Sequence, residues 1–139
     1  MIASTHKSRE CWVRLHVMEA KGVKVSTGLR FDPKRRCLVA LRSVAHNRFL
    51  CAEKSGSLVC NRNKRGAWEK FRCVPMGDGK VGLQSDTFKK YVTATKGEMA
   101  CDKGHCKGHE QFTPVLADDG SFALRSYRGT YLSAQLCGA

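Results

Sequence analysis

Four potential zinc ligands fall within the stretch "CDKGHCKGHE", namely Cys101, His105, Cys106 and His109. Thiolate and imidazole groups are the usual ligands of structural zinc. Structural sites mostly take two closely spaced ligand pairs from separate turns, whereas these four residues belong to one predicted loop. Cys101 also aligns with Cys60 in a similar segment, where no second Cys or His follows. The pattern therefore favours a polar turn, and we expect neither a bound metal nor a cofactor.

Catalytic motifs are absent from the sequence. It contains no Gly-x-Ser-x-Gly nucleophile elbow, no phosphate-binding loop and no paired-carboxylate pattern. Ser, His and Asp residues occur in turn-like segments, with nothing to bring them together. Glu69 and Glu110 stand alone, and we expect them to fix turns by hydrogen bonding rather than to act as bases. The sequence therefore predicts a protein that is not an enzyme.

The chain is strongly basic, with 25 Lys+Arg against 12 Asp+Glu in 139 residues and a formal net charge of +13. Such a charge favours an acidic partner, which could be a protein surface, nucleic acid, a sulfated sugar or an anionic membrane. The sign of the charge does not select among these partners. A basic surface without any specific partner is the simplest alternative. No apolar stretch reaches the length of a membrane-spanning helix.

Basic residues are the best candidates for a functional site, because they recur at equivalent predicted turns of an internal repeat. Three-fold symmetry would distribute these turns around one end of a barrel as a cationic ring, complementary to an acidic filament or a polyanion. The alternative is that exposed turns accept Lys and Arg without any function. The candidate binding residues are Arg62, Lys64, Arg65, Lys89, Lys90, Lys103, Lys107 and Arg128.

The segments that flank these turns recur three times along the chain. A five-residue phrase recurs as "VALRS" at Val39–Ser43, "VGLQS" at Val81–Ser85 and "FALRS" at Phe122–Ser126. An aromatic-aliphatic-small-Ala segment follows each phrase, and the first two copies continue through a Gly turn, a third segment and Glu-x-Phe. Each segment alternates apolar and polar residues, as half-buried strands do. The short polar linkers between them suit hairpin turns.

Three copies of four short strands predict an all-β fold, the β-trefoil. One unit cannot bury its apolar face alone, whereas three units close around an axis and leave no free sheet edges. Propellers and solenoids also use repeats of about 40 residues, but three units in 139 residues favour the trefoil. The residues expected to point into the core are Val39, Leu41, Val81, Leu83, Phe122 and Leu124.

The third copy stops after its second strand, and the N-terminal segment 1–36 is expected to complete it. Glu10-Cys11-Trp12 imitates Glu69-Lys70-Phe71, so a closing strand is predicted around residues 10–18, followed by a basic loop. An unstructured tail, or a fragment cut from a longer chain, are the competing interpretations. The predicted trefoil repeats occupy residues 37–139, with units at 38–76, 80–117 and, in part, 121–139.

The eight cysteines are predicted to be reduced thiols in a cytosolic protein. No long apolar segment follows the basic residues of the N-terminus, so no signal peptide is visible. Cys51 and Cys73 also lie in apolar, strand-like runs, where a thiol packs as a small hydrophobic group. The cysteines are at positions 11, 37, 51, 60, 73, 101, 106 and 137.

The segments "NRFLCAEKSGSLVCNR" and "DGKVGLQSDTFKKYVTAT" resemble trefoil units of the fascin family. Units of that family read aliphatic-x-Leu-x-Ser, a turn, Tyr-Leu-x-Ala, a Gly-led strand and Glu-x-Phe, and the match runs from about Cys37 to Gln135. The resemblance implies a cytoplasmic, cytoskeletal protein that binds actin filaments. Fascins carry four trefoils and cross-link filaments, whereas single-domain trefoils such as hisactophilin bind actin with one.

The resemblance does not transfer individual binding residues, because the actin sites of the family follow no strict motif. A single trefoil with one site binds a filament, and bundling would need a dimer or a second site. The alternative function is binding of nucleic acid or another polyanion, which typically requires base-stacking aromatic residues beside cations. Most aromatic residues here occupy repeating apolar positions, with Phe88 and Tyr127 as the exceptions.

Overall fold

Twelve strands and two single-turn 3-10 helices make up the described part of the chain. The computed structural model describes residues 2–6, 15–19, 34–44, 47–64, 66–95, 98–116 and 121–135. The 3-10 turns span Ala67–Glu69 and Gly108–Glu110. The strands are β1 (Ile2–His6), β2 (Leu15–Glu19), β3 (Cys37–Ser43), β4 (Phe49–Ala52), β5 (Leu58–Arg62), β6 (Phe71–Gly77), β7 (Lys80–Ser85), β8 (Tyr91–Thr95), β9 (Glu98–Lys103), β10 (Thr113–Leu116), β11 (Phe122–Arg125) and β12 (Tyr131–Gln135).

Six strands pair into a closed barrel. Unit 1 contributes β3 and β6, unit 2 contributes β7 and β10, and unit 3 contributes β11 and β2. Ladders join each barrel strand to its neighbours in the ring β3–β6–β7–β10–β11–β2 and back to β3, with the β7–β10 step made by a bridge between Val81 and Phe112. Closure satisfies the backbone groups that a free sheet edge would expose.

The other six strands form three two-stranded ribbons, β4–β5, β8–β9 and β12–β1. The third strands of the units meet one another through the pairs Ile2↔Val59, Ser4↔Glu98 and Ser57↔Ala100. Three ribbons that touch in this way close a six-stranded barrel with three-fold symmetry. This arrangement is the predicted β-trefoil.

The N-terminal segment completes unit 3 by supplying β1 and β2. Strand β1 pairs with β12 along its whole length, from Ile2↔Gln135 to His6↔Tyr131. In β2, Leu15 pairs with Ser43 and Phe122, as Phe71 of unit 1 pairs with Ser85 and Val39. The sequence predicted that Trp12 would be the unit 3 counterpart of Phe71, but in the structure Leu15 has that position. The segment Glu10–Trp12 itself lies outside the described residues, and so does the predicted basic loop over residues 22–36 except for its last three residues, which precede β3.

The core is filled by the apolar residues of the repeated phrases. The six side chains predicted to point inward are each exposed by 1% or less, and Phe71 and Phe112 are equally buried. Full burial of a Leu or Phe side chain stabilises a fold by about 1.5–3 kcal/mol. The shared apolar interior thus holds the three units together.

The last Ser of each phrase closes the turn between the first and second strands of its unit. In unit 2, Ser85 N–H donates to the carbonyl of Lys90 at 2.8 Å, and Lys89 N–H donates to the carbonyl of Ser85 at 2.9 Å. Phe88 N–H donates to Ser85 Oγ at 3.1 Å. Each turn also holds one residue in the left-handed region, namely Asn47, Lys89 and Gly129 with φ of 55°, 57° and 80°. Backbone hydrogen bonds therefore hold the turns that carry Lys89, Lys90 and Arg128.

Candidate functional site

Three of the four potential zinc ligands, namely Cys101, Cys106 and His109, have different neighbours, and His105 is exposed. Cys101 is buried, and its Sγ donates to the carbonyl of Lys90 at 3.2 Å. Cys106 Sγ donates to the carbonyl of Glu110 at 3.4 Å. The ring of His109 stacks on Tyr127 instead. No group of three or more His, Cys, Asp or Glu side chains is placed to hold a metal ion within the described ranges.

Glu69 and Glu110 fix the loops that join the third and fourth strands, as the sequence predicts. Glu69 Oε1 accepts from Gly66 N–H at 2.7 Å, and Glu110 Oε1 accepts from Lys107 N–H at 3.0 Å. Glu110 is exposed by only 4%, and its Oε2 accepts from Thr93 Oγ1 at 2.6 Å. Burial, followed by the hydrogen bond and charge of Glu69, raises the pKa of Cys51 to about 12. Both carboxylates therefore have structural partners in their own units.

Contacts between units place two of these loops against turns of the next unit. At the first junction, defined by residues 66–70 and 86–90, Asp86 N–H donates to the carbonyl of Lys70 at 3.0 Å. Trp68 lies 5.3 Å from Phe88 between ring centroids, at an angle of 57°. At the second junction, defined by residues 104–111 and 126–130, His109 stacks on Tyr127 at 4.2 Å and 14°. Each junction therefore joins two units through a pair of aromatic rings.

The cations of the first junction are partly neutralised. Asp86 Oδ1 lies 3.2 Å from Lys89 Nζ and 3.3 Å from a guanidinium nitrogen of Arg72. Desolvation alone would raise the pKa of Asp86, but Lys89 and Arg72 outweigh it and hold this pKa below its usual value. Arg62, the last residue of β5, likewise has a guanidinium nitrogen 3.0 Å from Glu53 Oε2. These pairs reduce the positive charge that this region offers to a partner.

The second junction, and the end of the β8–β9 ribbon next to it, carry cations that form no ion pair with a described acidic side chain. Lys103 lies opposite Tyr91 across the β8–β9 ladder, which brings it beside Lys90. Lys107 and Arg128 come from the loop and the turn whose rings stack at the second junction. All four side chains are exposed, and the ion pairs found among the described residues involve none of them. Of the two junctions, the second is therefore the more openly basic.

Seven of the eight predicted binding residues lie in, or at the strand ends that lead into, neighbouring loops and turns. From unit to unit, contacts order these segments as the β5–β6 loop, the β7–β8 turn, the β9–β10 loop and the β11–β12 turn. The eighth residue, Arg65, lies outside the described residues. We call the other seven the basic arc, which consists of Arg62, Lys64, Lys89, Lys90, Lys103, Lys107 and Arg128.

The exposed aromatic residues differ in part from those expected. Trp68 is 37% exposed and Tyr127 is 46% exposed, whereas Phe88 packs against the core. The sequence signal for Trp68 is its position directly before Glu69, outside the alternating pattern of the next strand. Both exposed rings lie at the junctions, beside the basic arc.

Comparisons with known proteins support a fascin-like β-trefoil. Fascin-2 from Bos taurus is 30% identical over 70 residues, which are 50% of this chain and 14% of that protein. Fascin-2 from Mus musculus is 28% identical over 86 residues, which are 62% of this chain and 18% of that protein. The match thus spans less than a fifth of the length of either relative. No protein-family model matches the chain.

A solved structure supports the fold independently. The designed three-fold symmetric protein ThreeFoil superposes with a TM-score of 0.61 at 15% identity, over 73% of this chain and 91% of its own. At this identity the likeness shows the fold alone, which is a β-trefoil. None of the helices in the described ranges is long and apolar enough to cross a membrane.

Proposed function

We propose that this chain is an actin-binding β-trefoil module that attaches to the filament through the basic arc. The similarity of its repeats to two Fascin-2 proteins carries the proposal, because resemblance to the fascin family implies actin as the partner. The exposed, unpaired cations Lys90, Lys103, Lys107 and Arg128 support it, since an acidic filament surface would complement them. On this proposal the protein is a cytoplasmic component of the cytoskeleton that binds rather than catalyses.

The attraction would be mainly electrostatic and therefore sensitive to salt. Exposed charges further apart than about 10 Å are largely screened at an ionic strength of 0.1 M. Arg62 and Lys89 would contribute less than the unpaired cations, because Glu53 and Asp86 already compensate them. One arc provides one attachment surface, so cross-linking of filaments would require a dimer or a second surface.

Co-sedimentation with actin filaments at low and moderate salt tests the proposal. We expect K107A/R128A to weaken binding about fivefold, which corresponds to roughly 1 kcal/mol. The matched control is K54A/K80A, which removes two exposed cations away from the arc and should leave the affinity nearly unchanged. If the unmodified protein stays in the supernatant at both salt concentrations, actin is not its partner.

Single-stranded nucleic acid is the second candidate, because the exposed rings of Trp68 and Tyr127 lie beside cations. Stacking of a base on an aromatic side chain is worth about 1–3 kcal/mol. Fluorescence anisotropy with a labelled single-stranded oligonucleotide would test this function. Tight binding that survives moderate salt and is lost in W68A/Y127A would favour nucleic acid over actin.

A further inference from the structure

Two cysteines face each other across the barrel wall of unit 1. Cys37, the first residue of β3, is the cross-strand partner of Cys73 in β6. Cys73 belongs to the apolar core and is fully buried, whereas Cys37 is half-buried and packs against the edge of that core. One thiol of the pair is therefore accessible from solvent, and the other is accessible only from its neighbour.

The pairing geometry suits a disulfide. Directly opposite residues of an antiparallel pair have Cα atoms about 4.5–5.5 Å apart, and disulfides span Cα separations of roughly 4.4–6.8 Å. The thiol of Cys37 also raises the pKa of the Cys73 thiol, as a close neighbour would. The pairing of Cys37 with Cys73 therefore falls in the range of separations that a disulfide spans.

The repeat does not account for this pair. Val39 aligns with Val81, and Phe71 aligns with Phe112, so the equivalent positions in unit 2 are Gly79 and Pro114. Three other described cysteines face apolar partners instead, through the pairs Cys51↔Val59, Leu50↔Cys60 and Val92↔Cys101. The facing thiols are thus a feature of unit 1 that the trefoil architecture does not demand.

We propose that Cys37 and Cys73 form a site of reversible oxidation, which closes to an intrachain disulfide by exchange with a low-molecular-weight disulfide such as oxidised glutathione. The Cys37 thiolate attacks one sulfur of glutathione disulfide, the sulfur–sulfur bond breaks, and one glutathione thiolate leaves. Cys73 then attacks Cys37 Sγ, and the second glutathione leaves as a thiol that carries the proton lost by Cys73. The balance is one protein dithiol and one glutathione disulfide giving one protein disulfide and two glutathione thiols.

The order of the two steps follows from access and ionisation. The hydrogen bond to Cys37, together with burial, raises the pKa of Cys73 well above its usual value. Cys73 is therefore a poor first nucleophile, and an oxidant the size of glutathione disulfide cannot reach it. After Cys37 has become a mixed disulfide, its sulfur lies next to Cys73, and attack becomes intramolecular.

The bond would join the first and fourth strands of unit 1. It closes a loop that contains β4 and β5, and cross-links of this kind restrict the unfolded chain. We therefore expect oxidation to raise the melting temperature by roughly 5–10 °C. Dithiothreitol should reverse the change.

Peptide mapping of the full chain tests the proposal. The protein is treated with oxidised glutathione, quenched in acid, alkylated with N-ethylmaleimide and digested for mass spectrometry. We expect a Cys37–Cys73 cross-linked peptide that dithiothreitol removes, and the same peptide from the control variant C106S. C37S should form no such bond and should show no rise in melting temperature. C73A should stop at a glutathione adduct on Cys37.

Two results would overturn the proposal. One is a stable glutathione adduct on Cys37 in the unmodified protein, with Cys73 still open to alkylation after unfolding. The other is a cross-link from Cys37 to any cysteine other than Cys73. The same treatment in denaturant should give mixed pairings, which checks that the selectivity depends on the fold.

Discussion

Buried polar side chains hold the loops of this trefoil at the scale of single residues. Glu110 is the clearest case, because one carboxylate oxygen accepts from Lys107 N–H and the other from Thr93 Oγ1. Glu69 repeats the first contact with Gly66 N–H, but the residue equivalent to Thr93 in its unit is Cys51, whose thiol is a weaker donor. The same residue type thus anchors equivalent loops through different partners.

Replacing Glu110 with Ala should lower the free energy of unfolding by about 2–3 kcal/mol, because it leaves buried donors without an acceptor. Thr93→Val should cost about 1 kcal/mol. The double variant should lose less than the sum, since both changes remove one shared hydrogen bond. Urea denaturation measures these values, with the exposed Asp102→Ala as the control. Strict additivity would contradict the proposed coupling of Thr93 and Glu110.

A single contact explains why the second phrase has Gly where the others have Ala. A Cβ atom added at Gly82 would lie 2.7 Å from Cys106 Sγ and 3.4 Å from Tyr91, whereas Ala40 and Ala123 fit in the buried equivalent positions. Cys106 therefore fills the space that a methyl group occupies in the other two units. The loop of unit 2 is packed into its own barrel strand at this point.

Gly82→Ala should destabilise the protein by about 1–3 kcal/mol, because the added methyl group overlaps the Cys106 thiol. In a Cys106→Ala background the same change should cost much less, since the clashing sulfur is gone. Thermal or urea denaturation of the two single variants and the double variant forms the test. An equal cost of Gly82→Ala in both backgrounds would mean that another contact excludes the side chain.

At the scale of elements, the repeated phrases predict the strands and their buried faces because alternation fixes which side chains meet the core. Leu41, Leu83 and Leu124 follow from this pattern alone. The register of the closing strand does not, because Trp12 imitates Phe71 in type while Leu15 takes its place in the pairing.

The site is less predictable than the strands. The sequence shows which basic residues belong to the predicted turns, but it does not show which of them form ion pairs with acidic side chains. The pair Arg72–Asp86, the contact of Trp68 with Phe88 and the stacking of His109 on Tyr127 join segments that belong to different units. Such contacts are set by the packing of complete units, which a local sequence pattern does not encode.

For the whole molecule, buried thiols make stability fall in alkaline solution. Burial raises the pKa of Cys60 to about 11, and raises that of Cys101 to about 12, while an unfolded cysteine titrates near 8.5. Above that pH the unfolded chain binds fewer protons than the folded one, so the free energy of unfolding decreases. Each such thiol contributes a slope of about 1.4 kcal/mol per pH unit until its folded-state pKa is reached.

Urea denaturation in the presence of a reductant, at several pH values between about 8 and 10, measures this slope. Stability should be nearly constant at the low end of the range and fall steeply at the high end. Cys60→Ala should reduce the dependence of the unfolding free energy on pH by the contribution of one thiol, even if the variant also changes the stability at neutral pH. A slope unaffected by this variant would show that Cys60 does not titrate as its burial predicts.

Because the N-terminal segment pairs with β12 and β3, we expect the chain to tolerate a circular permutation that moves this segment to the other end. Gln135 and Ile2 face each other in the β12–β1 ladder, so residues 136–139 and Met1 can act as a hairpin connection. A permuted chain that begins at Lys34, continues through Ala139 and ends with residues 1–33 should therefore fold into the same trefoil. Its free energy of unfolding should lie within about 1 kcal/mol of that of the original chain, because almost every strand pair is retained.

The matched control also begins at Lys34 but lacks residues 1–33, and it should lose cooperative unfolding, since β11, β12 and β3 are left with unpaired edges. A control chain as stable as the original would mean that β1 and β2 do not hold the barrel closed.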